Sequence, residues 1–306
     1  MLKYLLLFTS ITFIALSAKA QTVKPVKYKD IIFSDVTIDK DLNYAPDAPT
    51  DKKKSFLFDL YQPKDDHSAP RPLIIWMHGG GFKFGSKDAK SIQLWSKTFA
   101  QRGYVCAAIN YSLSKKDPLF NFGELQKSCY YAVQDVKTAM EYFKQHHAEY
   151  NIDPDKIILA GNSAGGLIAL QSAYSTNARL AKMAGITDSN ANEQGILKVA
   201  AVINFWGAIF DLNWLKNARV PIVSVLGSND NIVPPTHKSA PLFGGVDIHK
   251  QADILGIPNK LKVYDGYSHE LEKHFNPLFS AGNCTQERWM KAGQFAADFL
   301  YDTLFK

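Results

Sequence analysis

The chain has 306 residues and a formal net charge of +6, with 46% hydrophobic and 21% charged side chains. This composition is typical of a globular protein with a substantial core, and it excludes an intrinsically disordered or collagen-like chain. The lysines are scattered and no basic tract has interleaved aromatic residues, so we expect no nucleic-acid partner.

The first twenty residues have the composition of a secretory signal peptide. A basic start is followed by the apolar stretch 5–16 and by the small-residue sequence SAKA, which ends at Ala20. The apolar run is short for a bilayer span, so cleavage after Ala20 is favoured over an uncleaved membrane anchor. We expect residues 1–20 to be removed and residues 21–306 to form one domain. The product would be secreted or periplasmic, without stable membrane insertion.

Short apolar or alternating runs are separated by longer stretches with three- and four-residue apolar spacing. The first kind of run predicts strands, many of them covered on both faces, and the second predicts helices. The predicted strands are 55–63, 73–77, 104–110, 156–160, 199–207, 221–227 and 260–266. The predicted helices are 91–103, 125–147, one beginning near Ser163, 249–256 and 288–305.

Strands that alternate with helices predict an α/β fold, a doubly wound and mostly parallel sheet with helices on both faces. Residues 21–53 are expected to be irregular or to supply an edge strand, and 112–124 and 177–196 to form irregular loops. The apolar face of the long helix is assigned to Tyr131, Val133, Val136, Met140 and Phe143.

The chain contains three cysteines, at 106, 129 and 284. Cys106 lies in a predicted buried strand, where we expect it to pack as a small apolar side chain. The sequence leaves open whether Cys129 and Cys284 form a disulfide in an exported protein. No Cys or His spacing typical of a metal site occurs, so we expect neither a metal nor another cofactor.

Small residues surround a single serine between the strand 156–160 and the next helix, in the pattern Gly161-x-Ser163-x-Gly165. Ligands of open parallel sheets bind beyond the carboxyl ends of the strands, and Ser163 falls at such an end. A sharp turn from strand to helix strains the central residue, and small neighbours avoid collisions with adjoining segments. The pattern predicts a nucleophile elbow, with a tight turn and an N-capping serine as the alternative.

A serine nucleophile needs a base to take its proton. Among the eight histidines, His269 lies where the predicted strand 260–266 runs into a loop near the end of the chain. We therefore predict His269 as the base, with His274 as a weaker candidate.

An acid must orient that base, and in the order Ser, Asp, His it falls between the other two residues. Asp230 follows the predicted strand 221–227 in a turn rich in Gly and Asn, so we predict it as the acid. The competing interpretation is an aspartate that serves only its own turn. Asp211 and Asp265 are the alternative acids.

Three glycines in the sequence MHGGGF, residues 77–82, follow the predicted strand 73–77. Attack on a carbonyl places negative charge on its oxygen, which preorganised N–H groups stabilise. We predict that the N–H groups of Gly80, Gly81 and Ala164 form this oxyanion hole. A flexible glycine turn is the alternative, and the absence of a Gly-Lys-Ser/Thr ending argues against a phosphate cradle.

Four motifs in this order, HGGGF, GNSAGG, GSNDNIVP and GYSH, resemble those of the α/β-hydrolase superfamily. The resemblance runs from about residue 55 to the C-terminus, and within the superfamily it is to the carboxylesterase and hormone-sensitive-lipase-like serine esterases. It implies an α/β-hydrolase catalytic domain with Ser163, Asp230 and His269 as the catalytic triad. It also implies cleavage of short- to medium-chain esters without metal or cofactor.

The chain departs from this branch at Asn162, where Asp or Glu is frequent, and by the lack of an evident helical cap, so we expect no large cap domain. The prediction is a carboxylesterase-type serine hydrolase that forms an acyl-enzyme. Export favours small-molecule or polysaccharide-linked esters, such as acetyl or feruloyl esters. An amidase, peptidase or formamidase is the alternative, because esters and amides share a tetrahedral step. A non-catalytic binding module with a hydrolase fold is a further one.

Four aromatic residues near predicted strand ends are candidates for a substrate pocket, with a core position as the competing interpretation. They are Phe82, Phe120, Phe205 and Trp206. The sequence predicts no particular oligomeric state.

Overall fold

The structure is a computed structural model, and it describes residues 24–66, 70–187, 196–238, 242–276 and 281–306. The predicted signal peptide, residues 1–20, lies outside these ranges. Eight strands of the described chain form one sheet. They are β1 Val36–Asn43, β2 Leu57–Pro63, β3 Arg71–Met77, β4 Val105–Ile109, β5 Ile152–Asn162, β6 Ala201–Phe205, β7 Ile222–Gly227 and β8 Asn259–Tyr264.

The helices connect these strands across both faces of the sheet. They are α1 Lys90–Ala100, α2 Phe122–Gln145, α3 Ala164–Tyr174, α4 Asn177–Met183, α5 Gly245–Leu255 and α6 Asn283–Leu304. Short 3-10 helices span Thr50–Phe56, Leu212–Asn217 and His269–Leu271.

The strand order is β1-β2-β4-β3-β5-β6-β7-β8. β1 pairs with β2 and β2 with β4 in antiparallel fashion, and all the other pairs are parallel. The mostly parallel sheet predicted from the sequence is confirmed, and so is the edge strand before residue 53. The chain moves from β3 outward to β4 and then returns past β3 to β5. The loops after β3 and β5 therefore leave a crevice at the point where ligands bind in such sheets.

Two hydrophobic cores lie on opposite faces of the sheet, and β3 contributes to both. Leu73, Ile75 and Met77 pack into the core that also receives buried residues from α2, α3, α4 and α5. Ile74 and Trp76 pack into the other core, beneath α1 and α6. Successive side chains of a strand point to opposite faces, so a strand covered on both sides must be apolar throughout.

Two segments predicted to be irregular contain helix. The helix α4 lies within 177–196, and Thr176 caps it by accepting a hydrogen bond from the Arg179 N–H. The helix α2 begins at Phe122 because Asn121 caps it through the Glu124 N–H. Both N-caps are residue types that favour this position, and they are the local signals for these starts.

The apolar face of α2 differs from the prediction at one position. Tyr131 is 53% exposed, whereas the neighbouring Tyr130 is 5% exposed and packs in the core. Positions 131 and 133 are only two residues apart, which places them on different sides of a helix. Val133, Val136, Met140 and Phe143 are buried as predicted.

All three cysteines are free thiols, so the disulfide considered between Cys129 and Cys284 is not formed. Cys129 is buried on α2, and Cys284 is exposed at the start of α6. These two helices cover opposite faces of the sheet, which keeps the two sulfur atoms apart. Cys106 is buried in β4, as predicted.

Candidate active site

Ser163 occupies the turn between β5 and α3, with φ 53° and ψ −118°. Its N–H donates to the Phe205 carbonyl at the end of β6, at 2.9 Å. A Cβ on Gly161 would lie 2.4 Å from the Gly165 carbonyl carbon, and one on Gly165 would lie 2.0 Å from the Met77 oxygen. Because these backbones pass so closely, positions 161 and 165 must both be glycine. The strained turn is confirmed, and the serine side chain makes no capping hydrogen bond to α3.

The structure brings Ser163, His269 and Asp230 into one hydrogen-bonded chain. Ser163 Oγ lies 2.9 Å from His269 Nε2, and His269 Nδ1 lies 2.7 Å from Asp230 Oδ2. The three residues are 8%, 2% and 1% exposed, in that order. With its proton on Nδ1 facing the carboxylate, the imidazole presents Nε2 as an acceptor for the serine hydroxyl.

Asp230 serves its own turn as well as the histidine. Its second carboxylate oxygen, Oδ1, accepts hydrogen bonds from the N–H groups of Ile232 and Val233, each at 2.9 Å. These bonds fix the carboxylate at the end of β7. The alternative acids have other partners, since Asp211 caps the 3-10 helix Leu212–Asn217 and Asp265 accepts from Ser228 Oγ.

Aromatic rings stand on two sides of the His269 imidazole. Phe275 lies edge-on to it with 5.0 Å between ring centroids, and Trp206 does so at 6.5 Å. Trp206 is 1% exposed, whereas Phe275 is only partly buried and can contact a bound molecule. The weaker candidate base, His274, is exposed. Nothing in the sequence pointed to Phe275, since its contact with position 269 depends on how the loop folds.

The loop after β3 makes a tight turn next to Ser163. Gly80 and Gly81 have φ values of 107° and 59°, in the left-handed region that favours glycine. The Phe84 N–H donates to the Gly80 carbonyl at 3.0 Å and closes the turn. Ala164 is the first residue of α3, where helix N–H groups lack intrahelical acceptors. The three predicted oxyanion-hole residues thus lie in the two segments that flank the serine.

His78 organises the start of this turn, a role that the sequence did not indicate. Its ring stacks on Tyr111 with 4.3 Å between centroids, and its Nδ1 donates to the Gly79 carbonyl at 2.7 Å. The Tyr111 hydroxyl donates to the His78 carbonyl at 2.8 Å. Burial lowers the pKa of His78 to about 4, so the imidazole is neutral at physiological pH.

Lys87 anchors the other end of the turn. Its ammonium group pairs with Asp59 at 2.7 Å and with Asp41 at 2.9 Å. The backbone N–H of Lys87 donates to Asn110 Oδ1 at 2.7 Å. Burial opposes the charge on Lys87, but the hydrogen bonds to Asp59 and Asp41 outweigh it and raise the pKa of the amine. The buried ion pair ties the glycine turn to β2, and the hydrogen bond to Asn110 ties it to the end of β4.

A model of the BD-FAE family matches residues 58–231, more than half of the chain. The chain belongs to the BD-FAE family. The matched range includes the glycine turn, Ser163 and Asp230, and it ends before His269.

Curated relatives of this BD-FAE protein include esterases. It is 26% identical to the probable carboxylic ester hydrolase LipM of Mycobacterium tuberculosis, over 63% of this chain and 39% of the relative. It is 30% identical to the arylacetamide deacetylase of Bos taurus, over 51% of this chain and 33% of the relative. The matches thus span less than half the length of these relatives.

A solved structure of Thermogutta terrifontis esterase 2, phosphorylated by paraoxon, has the same fold. The two chains superpose with a TM-score of 0.60 and 21% identity, over 88% of this chain and 95% of the other. The BD-FAE protein therefore has the α/β-hydrolase fold that the motifs implied.

Of the four aromatic residues considered for a substrate pocket in this BD-FAE protein, two take the competing core position. Phe82 and Phe205 are fully buried, because Phe82 packs against Tyr111 and Phe205 packs between the aromatic rings of the other core. Phe120 is 93% exposed, so its ring lies at the surface. Trp206 lies beside His269, but it is too buried to offer a binding surface.

A cleft of about 520 Å³ lies away from these residues, lined by 196–200 and 217–221. It is at the amino ends of β6 and β7, the opposite edge of the sheet from Ser163. Within the described ranges, no three His, Cys, Asp or Glu side chains are grouped to hold a metal ion. None of the helices in that part of the chain is both long and apolar enough for a membrane span.

Proposed function

We propose that this BD-FAE protein is an exported serine carboxylic-ester hydrolase that works through an acyl-enzyme. The observation that carries the proposal is the hydrogen-bonded chain from Ser163 Oγ through His269 to Asp230, at 2.9 Å and 2.7 Å. The strained turn at Ser163 and the adjacent glycine turn support it, because a nucleophile must face donors that stabilise a developing oxyanion. The esterases among the relatives support the same reaction class.

In the first half of the proposed reaction, Ser163 Oγ attacks the ester carbonyl carbon while His269 Nε2 takes the serine proton. The negative charge on the carbonyl oxygen is stabilised by the N–H groups of Gly80, Gly81 and Ala164. The C–O bond to the alcohol then breaks, and the proton on Nε2 passes to the departing oxygen. The alcohol leaves and the acyl group stays on Ser163.

In the second half, water attacks the acyl carbon and gives a proton to His269 Nε2. The bond between the acyl carbon and Ser163 Oγ breaks, the proton returns to the serine, and the carboxylic acid leaves. Asp230 holds the imidazole in the tautomer that accepts at Nε2 and stabilises the imidazolium that forms in each half. Neither half of the proposed reaction requires electron transfer or an external cofactor.

The substrates we propose are short-chain esters of small molecules or carbohydrates, acetyl and feruloyl esters among them. A protein that meets its substrate outside the cytoplasm encounters esterified polysaccharide and nutrient esters. The proposal that the protein is exported depends on residues 1–20. It predicts that the mature protein begins at Gln21. Amino-terminal sequencing of protein secreted by a bacterial host would test that part by itself.

The test of the chemistry is hydrolysis of p-nitrophenyl acetate by purified parent and Ser163→Ala proteins. We expect kcat to fall by roughly 10⁴-fold or more in the variant, because the nucleophile is removed. Ser34→Ala, an exposed serine far from the turn, is the matched control and should keep parent activity. Equal hydrolysis by parent and Ser163→Ala would overturn the proposal and favour a non-catalytic hydrolase-like binding module.

Labelling with paraoxon gives a second readout that does not depend on turnover. Thermogutta esterase 2 is phosphorylated by this reagent, so we expect a diethylphosphoryl group on the peptide that contains Ser163. Mass spectrometry of parent and Ser163→Ala digests would locate it. A label found elsewhere, or equally in both proteins, would count against Ser163 as the nucleophile.

An amidase is the second candidate, and the relative named arylacetamide deacetylase favours it. The same groups could cleave an amide, provided that His269 protonates the leaving nitrogen. Comparison of kcat/KM for p-nitrophenyl acetate and p-nitroacetanilide separates the two candidates. We expect the ester-to-anilide ratio of kcat/KM to be at least as large as the ratio of the uncatalysed rates, and a smaller ratio would favour the amidase.

A further inference from the structure

A half-exposed leucine covers one of the proposed oxyanion glycines. Leu119 is 49% exposed. Its Cδ2 would lie 2.2 Å, and its Cγ 3.0 Å, from a Cβ built on Gly81. The leucine side chain therefore rests directly on the Gly81 backbone and still faces solvent. A substrate whose carbonyl oxygen reaches the Gly81 N–H must come close to it.

The loop that carries Leu119, residues 112–121, is held against the glycine turn. The Ser114 N–H donates to the Phe82 carbonyl at 2.8 Å. The Lys83 ammonium donates to the Lys116 carbonyl at 2.7 Å. These two bonds join the loop to the glycine turn before the leucine. Asn121, which follows the leucine, caps α2. The loop is therefore anchored on both sides of Leu119, and its position over Gly81 is a fixed part of the site.

The strand order decides which part of an ester lies near this leucine. Ser163, at the end of β5, has β3 and β4 on one side and β6, β7 and β8 on the other. His269 follows β8, and the ester's alcohol oxygen must face its Nε2 to take the proton. The acyl chain then points away from His269, toward β3 and β4. The glycine turn follows β3, and the Leu119 loop follows β4.

We propose that Leu119 is a specificity-determining residue that limits the length of the acyl group. Its methyl groups would pack against an acetyl or propionyl chain and obstruct a longer or planar one such as feruloyl. This inference rests on the proposed function and narrows it: the enzyme prefers acetyl esters to feruloyl esters. Phe275, beside His269, would contact the alcohol part instead.

The test varies the acyl group while the alcohol stays constant, with p-nitrophenyl acetate, butyrate and octanoate. We expect Leu119→Ala to raise the octanoate-to-acetate ratio of kcat/KM by about tenfold, since pocket contacts of a few methylene groups have effects of this size. Leu119→Phe should lower the butyrate-to-acetate ratio, and Leu119→Met, which conserves volume, should keep the parent ratios. Methyl ferulate hydrolysis should increase in Leu119→Ala but not in Leu119→Phe or Leu119→Met.

Ile254→Ala is the matched control, because Ile254 is 77% exposed near the C-terminal end of α5, at the opposite edge of the sheet. A second series keeps the acetyl group and varies the alcohol among nitrophenyl, naphthyl and methylumbelliferyl. We expect Leu119→Ala to leave the ratios in this series within about twofold of the parent. Thermal unfolding of each variant verifies that it is folded, and Leu119→Val provides a smaller truncation with an intermediate shift.

Unchanged acyl ratios in a folded, active Leu119→Ala protein would overturn the inference, and so would a shift in the alcohol series alone. Failure of the proposed function gives a different result, because the parent and Ile254→Ala would then hydrolyse none of these esters. The two failures are therefore distinguishable in one set of assays.

Discussion

At the scale of single residues, His78 links the site to the pH dependence of stability. Its folded-state pKa is lowered to about 4, whereas that of an unfolded chain is 6.5. The contribution of the neutral His78 imidazole to the free energy of unfolding is therefore present in full above pH 6.5. It is lost as the pH falls toward 4. Linkage gives a loss of about 2 kcal/mol in the free energy of unfolding between pH 8 and pH 5.

Urea unfolding of the parent and of His78→Gln at pH 8 and pH 5 measures this effect. Glutamine can still donate to the Gly79 carbonyl but does not titrate. Between the two pH values, the free energy of unfolding should therefore fall by about 2 kcal/mol less in the variant than in the parent. His147→Gln, at an exposed histidine, should keep the parent's pH dependence. Identical pH dependence in parent and His78→Gln would mean that this imidazole is charged or accessible in the folded protein.

The predictable part of the site is the part whose physical cause is local. Gly161, Ser163 and Gly165 were evident in the sequence because a strand that turns sharply into a helix dictates small residues within five positions. Asp230 and His269 followed from the chain order of the triad. Leu119 could not be predicted in this way, since its contact with Gly81 joins loops that follow two different strands.

At the scale of elements, α6 holds the loop that presents His269. Glu270 and Leu271 follow the histidine with φ values of 56° and 59°, a conformation that costs free energy in residues other than glycine. Trp289 Nε1 donates to the Glu270 carbonyl at 2.8 Å, and Arg288 Nε donates to the Leu271 carbonyl at 2.6 Å. These two bonds from one helix hold both strained residues in place.

Trp289→Phe is expected to lower kcat by roughly tenfold with little change in KM, since the loss of a buried hydrogen bond costs about 1 to 3 kcal/mol. Trp289 acts through His269 as a positioning residue, so the loss should appear in turnover rather than in substrate binding. Trp214→Phe, a buried tryptophan in the other core, is the matched control for the loss of indole volume. Equal effects on kcat in both variants would show that Trp289 contributes only through packing and does not position His269.

Most of the helices and strands could be predicted, because the spacing of apolar residues along the sequence indicates which positions are buried. β3 is buried at all seven positions, and its last five residues, 73–77, form a continuous apolar run in the sequence. The helix α4 was missed, since it has only 7 residues and lies in a polar segment where its Thr176 cap is the main signal. The core positions of Phe82 and Phe205 could not be predicted, because proximity to a strand end does not reveal whether a ring points into a core or toward the crevice.

At the scale of the whole molecule, one sheet separates two cores, and the site spans loops that depend on both. Trp206 and the α6 contacts to the His269 loop belong to one core, whereas Phe82 and Tyr111, beneath the glycine turn, belong to the other. The shared strands have side chains in each core. Loss of either core would expose apolar strand faces, so we expect the two to unfold together.

The buried cysteines provide a probe of each core, because Cys106 packs in one and Cys129 in the other. Burial raises the pKa of both thiols and shields them, so in the native protein we expect a maleimide to label Cys284 alone. Across a urea series, Cys106 and Cys129 should become reactive together, at the midpoint seen by far-ultraviolet circular dichroism. Cys284→Ser removes the background label and serves as the reference protein. Reaction of one buried thiol at a clearly lower urea concentration would show that the two faces unfold separately, and would contradict a single cooperative domain over residues 21–306.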